Sequence, residues 1–376
     1  MTTAAAPGTG GRRAASTDPS RSAVRQEDWA RAVRALTGAG EICLACHVRP
    51  DGDALGSMLA VAQALRARAC PAGVAGVRIV ASFGDQPFEV PAVLRFLPGL
   101  DLLSPPEAVP DSPELMITFD VSSVDRLGSL AGRARRAREL IVLDHHASNP
   151  GFGTVNLIDP AAAATAVLAA KLIELLDVEI TAEIASGLYT GLVTDTGSFR
   201  FSATPQVHRM AARLLETGID PQAIARELWD SVPFGYLLVL SAALGRAVLE
   251  PAEAAGHGLV WTAVARDLRV AHGLPFEVAE PVIDELRRSE EADVAIVLKE
   301  ADDGQWHVSA RSKGQVDVGR VCVALGGGGH SQAAGFSMRG SVTDIMARLR
   351  ELLSSRRDAS GLAGPAGVLT AESGAR

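Results

Sequence analysis

The chain is short of lysine, cysteine and aromatic residues and has no long apolar run, and each shortage removes a class of function. Its formal net charge is -8 over 376 residues. A protein that coats long nucleic acid neutralises many phosphates with a broad basic surface, which this balance argues against. Lysine occurs only at Lys171, Lys299 and Lys313, so the basic side chains are nearly all arginine. Aromatic residues make up 4%, too few for stacking the bases of an extended strand. A small phosphorylated substrate stays open, because a few cations inside a cleft, metal ions included, matter more there than the overall balance. No run of about 18 apolar residues is present to span a bilayer, and the first residues, MTTAAAPGTGGRRAASTDPS, lack the apolar centre of a secretory signal. The expectation is a soluble, cytoplasmic protein that does not engage a membrane.

Four cysteines, Cys43, Cys46, Cys70 and Cys322, are too few and too scattered for a disulfide framework. Cys43-Leu-Ala-Cys46-His47 matches the C-x-x-C-H spacing of covalent haem attachment. However, EICLACH reads as a buried strand, and residues three apart on a strand face opposite sides. The two thiols therefore cannot serve one cofactor.

Residues 1–24 and 357–376 are rich in small residues without periodicity and read as disordered tails. Between them the first half alternates short apolar runs with helical stretches. EICLACH, VRIVAS, LMITFD and LIVLD read as strands, with helices beginning near Asp53, Ser123 and Ala161. This alternation predicts an α/β domain with a mostly parallel sheet buried on both faces. Residues 177–231 read as mostly helical, with caps at Thr181 and Thr204. A linker helix is expected over 232–250, with Pro233 in its first turn and Pro251 as its stop. A smaller α/β domain follows over 251–356, with strands GLVWTAV, DVAIVLKE and QWHVSAR and helices near 277–288, 316–325 and 341–354.

Chemistry in open α/β sheets gathers beyond the carboxyl ends of the strands. EICLACH runs into His47-Val-Arg-Pro-Asp51-Gly-Asp53, LMITF ends on Asp120, and LIVL ends on Asp144-His145-His146. Asp195 lies in the otherwise apolar stretch GLYTGLVTDTGSF, where an unpaired buried carboxylate is costly. Singly, each Asp reads as a turn former or a cap, and Asp51-Gly-Asp53 reads equally as a turn with a helix cap. Jointly, carboxylates and three of the chain's eight histidines converge on one sheet edge. Such a cluster repels itself without divalent cations. Mixed carboxylate and imidazole donors without thiolates suit Mn²⁺, with Mg²⁺ as the alternative, rather than structural zinc. A two-metal site needs a bridging carboxylate, and Asp120, between the other segments, is the candidate.

The segments HVRPDGDALGS, FDVSS, LDHHASN and GLVTDTGSF resemble the four signature motifs of the DHH phosphoesterase family, whose triplet stands here as Asp144-His145-His146. Arg311-Ser312-Lys313 and the run Gly326-Gly327-Gly328-Gly329-His330 followed by AAGF resemble the DHHA1 module. Within the family the chain is most similar to the subgroup of oligoribonucleases that also act as phosphoadenosine-phosphate phosphatases. The resemblance implies a DHH catalytic domain over 25–231 and a DHHA1 substrate-binding domain over 251–356. It implies one metal held by His47, Asp51 and Asp120, and a second by Asp53, Asp120, His145 and Asp195. Asp144 is then the partner that orients its neighbour, and His146 a phosphate contact or proton donor.

In the second domain, four consecutive glycines before His330 read as open backbone N–H groups that cradle an anion, or as a flexible loop. Arg311 suits a bidentate phosphate contact and His330 a further hydrogen bond. Ser312, Gly328 and Gly329 complete the expected substrate contacts, while Lys313 reads equally as a solvated surface residue. Phe199 and Phe201 read as base contacts or as core. The leading expectation is a two-metal phosphodiesterase that cuts short oligoribonucleotides or dinucleotides to 5′-mononucleotides. Phosphoadenosine phosphate, pApA and cyclic di-AMP are further substrates in this reading, which leaves a homodimer open. The alternatives are a RecJ-like single-strand exonuclease, a DHH-type inorganic pyrophosphatase and a nucleotide sensor without turnover.

Overall fold

A computed structural model describes residues 24–69 and 76–354. The expected tails lie outside the described residues apart from Val24, as does Cys70. The chain divides between Ser231 and Val232 into two units.

The first unit runs α1 (Gln26–Gly38), β1 (Glu41–Cys46), α2 (Gly52–Ala69), β2 (Arg78–Phe83), β3 (Leu115–Phe119), α3 (Ala131–Arg136), β4 (Glu139–Asp144), β5 (Val155–Ile158), α4 (Thr165–Leu175), α5 (Ala182–Asp195), α6 (Pro205–Glu216) and α7 (Pro221–Trp229). The sheet is parallel throughout, in the order β2-β1-β3-β4-β5. As expected for an α/β unit with helices on both faces, the strands are buried on both sides. Ile42, Leu44 and Cys46 join one apolar cluster, and Cys43 and Ala45 the other. The two thiols thus point to opposite faces, which disposes of the haem pattern. From β1 the chain goes to β2 on one side and then crosses to β3 on the other, so the loops after β1 and β3 diverge and leave a crevice there.

Three local readings are corrected. The helix expected from Ser123 is a tight 3₁₀ segment over Val124–Leu130, interrupted where Gly128 takes φ 56°, and α3 is short. The helix expected from Ala161 begins at Thr165. The fifth strand, β5, is not expected from the sequence, having only four residues, too few to show periodicity. The caps at Thr181 and Thr204 form as the sequence indicates, accepting from the Ile184 and Val207 amides. Helices α2 and α5 meet through glycine: a Cβ on Gly56 would lie 2.4 Å from the Gly187 carbonyl oxygen, and one on Gly187 2.6 Å from that of Gly56.

The second unit contains α8 (Phe234–Gly245), β6 (Val248–Glu250), β7 (Leu259–Val264), α9 (Arg266–Val270), α10 (Val282–Leu286), β8 (Val294–Glu300), β9 (Trp306–Ser312), α11 (Val318–Ala324), β10 (Gly328–Gly329), β11 (Ala333–Met338) and α12 (Val342–Ser354). Its mixed sheet has the order β10-β11-β9-β8-β7-β6, with only β7 and β8 parallel. The linker helix expected over 232–250 stops at Gly245, well before Pro251, and residues 248–250 pair with β7 as an edge strand. Pro233 is the residue before the helix rather than part of its first turn. Tyr236, Val239 and Ala243 of α8 pack with Val260, Ala295 and Val297, so this helix belongs to the core of the second unit. Among the described residues, no single helix is long and apolar enough to cross a membrane.

Candidate metal centre

The residues after β1 combine the plain and the chemical readings of Asp51-Gly-Asp53. Asp51 caps α2, its Oδ1 accepting from the Asp53 amide at 3.1 Å and the Ala54 amide at 3.0 Å. Its other oxygen stays available and lies 3.7 Å from His47 Nε2. Asp53, the second residue of α2, is buried and reaches across the unit to the start of α4. There it accepts from the Thr165 amide at 2.6 Å and the Ala166 amide at 2.8 Å, and from Ser57 Oγ at 3.1 Å. Helix α4 has no side-chain cap of its own, so Asp53 supplies one from 112 residues away.

Asp120 follows β3 in a left-handed conformation, φ 58°, which is uncommon for a residue with a side chain and clusters at functional sites. Its two oxygens face different imidazoles. Oδ2 is 3.5 Å from His47 Nε2, and Oδ1 is 3.5 Å from His145 Nε2 and 2.9 Å from the Thr165 hydroxyl that donates to it. Asp195, the last residue of α5, points an oxygen to within 3.5 Å of His145 Nε2. A carboxylate at a helix C-terminus faces the negative end of the dipole, an unfavourable place without a nearby cation.

Both buried histidines turn Nε2 inward because Nδ1 is held at a backbone carbonyl: Val48 O at 2.8 Å for His47 and Ala162 O at 3.2 Å for His145. Such outer contacts fix the tautomer that a metal-ligating imidazole needs. His146 differs. Its Nδ1 pairs with Asp144 Oδ1 at 2.7 Å, and the fully buried Asp144 accepts on its other oxygen from Asn149 at 2.6 Å.

The donor atoms of His47, Asp51 and Asp120 lie within 4.8 Å of one another, and so do those of Asp53, His145 and Asp195. The six expected metal residues are thus brought together as two adjoining groups with Asp120 facing both. Imidazole and carboxylate donors of this kind fit a divalent ion such as Mn²⁺ or Mg²⁺. In the metal-free protein the charges adjust to one another. Burial alone would raise Asp120, but hydrogen bonding to His47 and the charges of the three imidazoles hold it below the usual carboxylate range. Burial works against protonation of His47, yet hydrogen bonds to Asp120 and Asp51 lift it to about 10. His146, also opposed by burial, is lifted to about 9 by Asp144 and Asp120. Burial, then the charges of Asp120 and Asp195, push Asp53 well up despite its three donors.

Thr165, Ser57 and Asn149 escape sequence reasoning. Thr165 sits in an alanine-rich stretch with no chemical pattern, and Ser57 and Asn149 lie inside motifs whose acidic residues draw the attention. Phe199 packs against the core beside His208, ring centroids 5.1 Å apart, which favours the core reading, while Phe201 lies under the Arg200 guanidinium.

In the second unit most amides of the glycine run are engaged within the fold. The amides of Gly326, Gly327 and His330 donate to Val323, Cys322 and Ala333 carbonyls, and Gly328 and Gly329 pair with β11. The glycines serve close approach: a Cβ on Gly327 would lie 2.1 Å from the Gly335 oxygen, and Gly329 has φ 133°. Ser312 is buried and bonded to Asp293 at 2.8 Å, and Asp293 also accepts from the amides of Gln315 and Val316. Ser312 therefore shapes its own loop. Lys313 is exposed and donates to the Ser289 carbonyl. Arg311 pairs through its backbone with Ala333, next to the turn that carries His330. Both side chains remain partly accessible.

A parallel sheet whose crevice gathers imidazoles and carboxylates into two adjoining groups able to hold a divalent ion fits the class of metal-assisted hydrolases. The description "DHH family, N-terminal domain" matches residues 41–192, and "DHHA1 domain" matches residues 263–355. The chain is 34% identical over 306 residues to the bifunctional oligoribonuclease and PAP phosphatase NrnA of Thermus thermophilus, covering 80% of this chain and 85% of that one. It is 25% identical over 313 residues to a probable enzyme of the same name from Streptococcus mutans, covering 82% and 93%. An exopolyphosphatase-related protein from Bacteroides fragilis shares the fold with a TM-score of 0.76 at 20% identity, over 88% of this chain and 96% of that one. The chain belongs to the DHH family and is a phosphoesterase with a DHHA1 domain.

Proposed function

We propose that the chain is a two-metal phosphodiesterase acting on short oligoribonucleotides or dinucleotides to give 5′-mononucleotides. Phosphoadenosine phosphate, pApA and cyclic di-AMP are further substrates in this reading. The carrying observation is Asp120, whose oxygens face His47 on one side and His145 on the other. His47, Asp51 and Asp120 would hold one ion, and Asp53, Asp120, His145 and Asp195 the other, with Mn²⁺ favoured and Mg²⁺ the alternative. Two such ions, when bound, supply an activated water and positive charge at the phosphoryl oxygens. The chain's own work is proton handling and placement. Asp144, held by Asn149, fixes the Nδ1 side of His146, which assigns donation to a leaving oxygen or to a phosphoryl oxygen to the Nε2 side. Thr165 and the start of α4 keep Asp120 and Asp53 aimed inward.

The names of the relatives and the net negative charge support short substrates rather than long strands. In the DHHA1 domain, the side chains of Arg311 and His330 are the candidates for gripping a terminal phosphate. The test is a panel with Mn²⁺: dinucleotides, 24-mers, phosphoadenosine phosphate, cyclic di-AMP and pyrophosphate. Preference for dinucleotides over 24-mers and pyrophosphate is the expected result. Turnover of pyrophosphate alone, or of long strands as well as short, would overturn it.

A further inference from the structure

We infer that Arg126 is a phosphate-contacting residue of the DHH unit, placed to hold the scissile phosphate beside the His47 group. The inference rests on the proposed phosphodiesterase reading. Arg126 follows the Asp120 motif in the 3₁₀ segment, and that segment is pinned at several points. The Val48 amide donates to the Arg126 carbonyl at 2.9 Å, and the Ser129 amide and hydroxyl both donate to Gly84 O. Neighbouring Asp125 is tied away by Arg135. The exposed Arg126 side chain turns back so that Nη2 comes within 3.3 Å of His47 Nδ1.

That contact is not a hydrogen bond in the tautomer a metal requires. If His47 Nε2 is to bind an ion, Nδ1 keeps its proton and donates it to Val48 O, so it cannot accept from a guanidinium. Among the described residues, Arg126 makes no ion pair with a carboxylate within hydrogen-bond reach. A planar fork of donors is therefore held at the mouth of an acidic site with no acceptor of its own, and an oxyanion matches that fork. Charge points the same way. Two divalent ions balance the four carboxylates Asp51, Asp53, Asp120 and Asp195, which leaves the phosphodiester's own charge, growing in the transition state, to be met by the protein.

The experiment compares the full chain with Arg126→Ala and Arg126→Lys. Titration with Mn²⁺ alone by calorimetry should give unchanged stoichiometry and affinity, because Arg126 is no ligand. Titration of the Mn²⁺-loaded proteins with inorganic phosphate should show binding weakened about ten- to a hundredfold in the Ala variant, with partial recovery in Lys. kcat/KM should fall alike on a dinucleotide and on bis(p-nitrophenyl) phosphate, since both present a scissile phosphate. Weaker Mn²⁺ binding with unchanged phosphate affinity would mean that Arg126 acts only on His47 and would overturn the inference, as would unchanged phosphate affinity in both variants. If the parent protein hydrolyses no phosphodiester, the functional reading fails, while the phosphate titration still decides the role of Arg126.

Discussion

Replacing Gly191 by Ala should damage the metal centre more than the fold. Gly191 lies inside α5, and an added Cβ would stand 2.7 Å from Asp53 Oδ1, 3.0 Å from the Ala166 Cβ and 3.1 Å from the Asp53 Cα. The first of these distances is shorter than such carbons adopt, so Asp53 or α4 must move. Overpacking costs about 1–3 kcal/mol, while exchanging Gly for Ala within a helix returns about 0.8–1.0 kcal/mol. The net loss of stability is then about 0–2 kcal/mol, small enough to leave a folded protein. Asp53, however, is expected to hold an ion with His145 and Asp195, and disturbing outer contacts of this kind lowers metal affinity about 10–100-fold. The assay is Mn²⁺ calorimetry, with thermal melting of the metal-free proteins to read the fold. Gly38→Ala, where a Cβ meets nothing within 4 Å, is the control. Two ions bound by Gly191→Ala with the parent's affinity would refute the argument that this close approach sets the position of Asp53.

Asp120→Ala should remove most activity and lower metal content by elemental analysis, since losing the shared carboxylate removes several kcal/mol of transition-state stabilisation; near-normal turnover with two ions would contradict it. Because His47 is held up to about 10 in the metal-free protein and must be neutral to ligate, Mn²⁺ binding should release protons. Its affinity should rise roughly tenfold per pH unit between pH 6 and 8.5 for one proton released, seen by calorimetry in buffers of different ionisation enthalpy; no proton release would contradict it. The sign reverses for metal-free stability. A histidine raised above its ordinary 6.5 contributes fully below that pH and loses its contribution as pH rises through about 10, so the metal-free melting temperature should fall over that interval. Arg311→Ala and His330→Ala should retain both ions and lose about tenfold to a hundredfold in kcat/KM on a dinucleotide while sparing bis(p-nitrophenyl) phosphate; equal losses on both substrates would place these residues at the scissile phosphate.

The strand ends were legible because parallel strands buried on both faces leave continuous apolar runs, and the acids that follow them stand out against those runs. His47, Asp120 and His145 are of this kind. What holds them was not legible. The bond from Thr165 to Asp120 and the bonds from the start of α4 to Asp53 join residues far apart in sequence through backbone amides, which carry no residue code. The glycine run was ambiguous for a related reason. Glycine marks a place where something comes close, but whether that is an anion or another strand depends on a partner, here β11, that the local sequence does not declare. The helix after Ser123 failed on a single residue, Gly128, whose positive φ splits a stretch of otherwise helical composition.

The doubled duty of Asp51 and Asp53 bears on the order in which the protein is assembled. Each carboxylate sits at a helix start, Asp51 on α2 and Asp53 on α4, where amides donate to it and the positive end of the dipole favours its charge, although burial and the neighbouring acids still push Asp53 up. The acids therefore have partners before any ion arrives, unlike the ligands of small zinc domains that stay unfolded until metal binds. On these grounds the chain is expected to fold without its ions, which a cooperative thermal melt of the chelator-treated protein would show. Loading then becomes a matter of how much metal the surroundings offer rather than a step that folding must wait for.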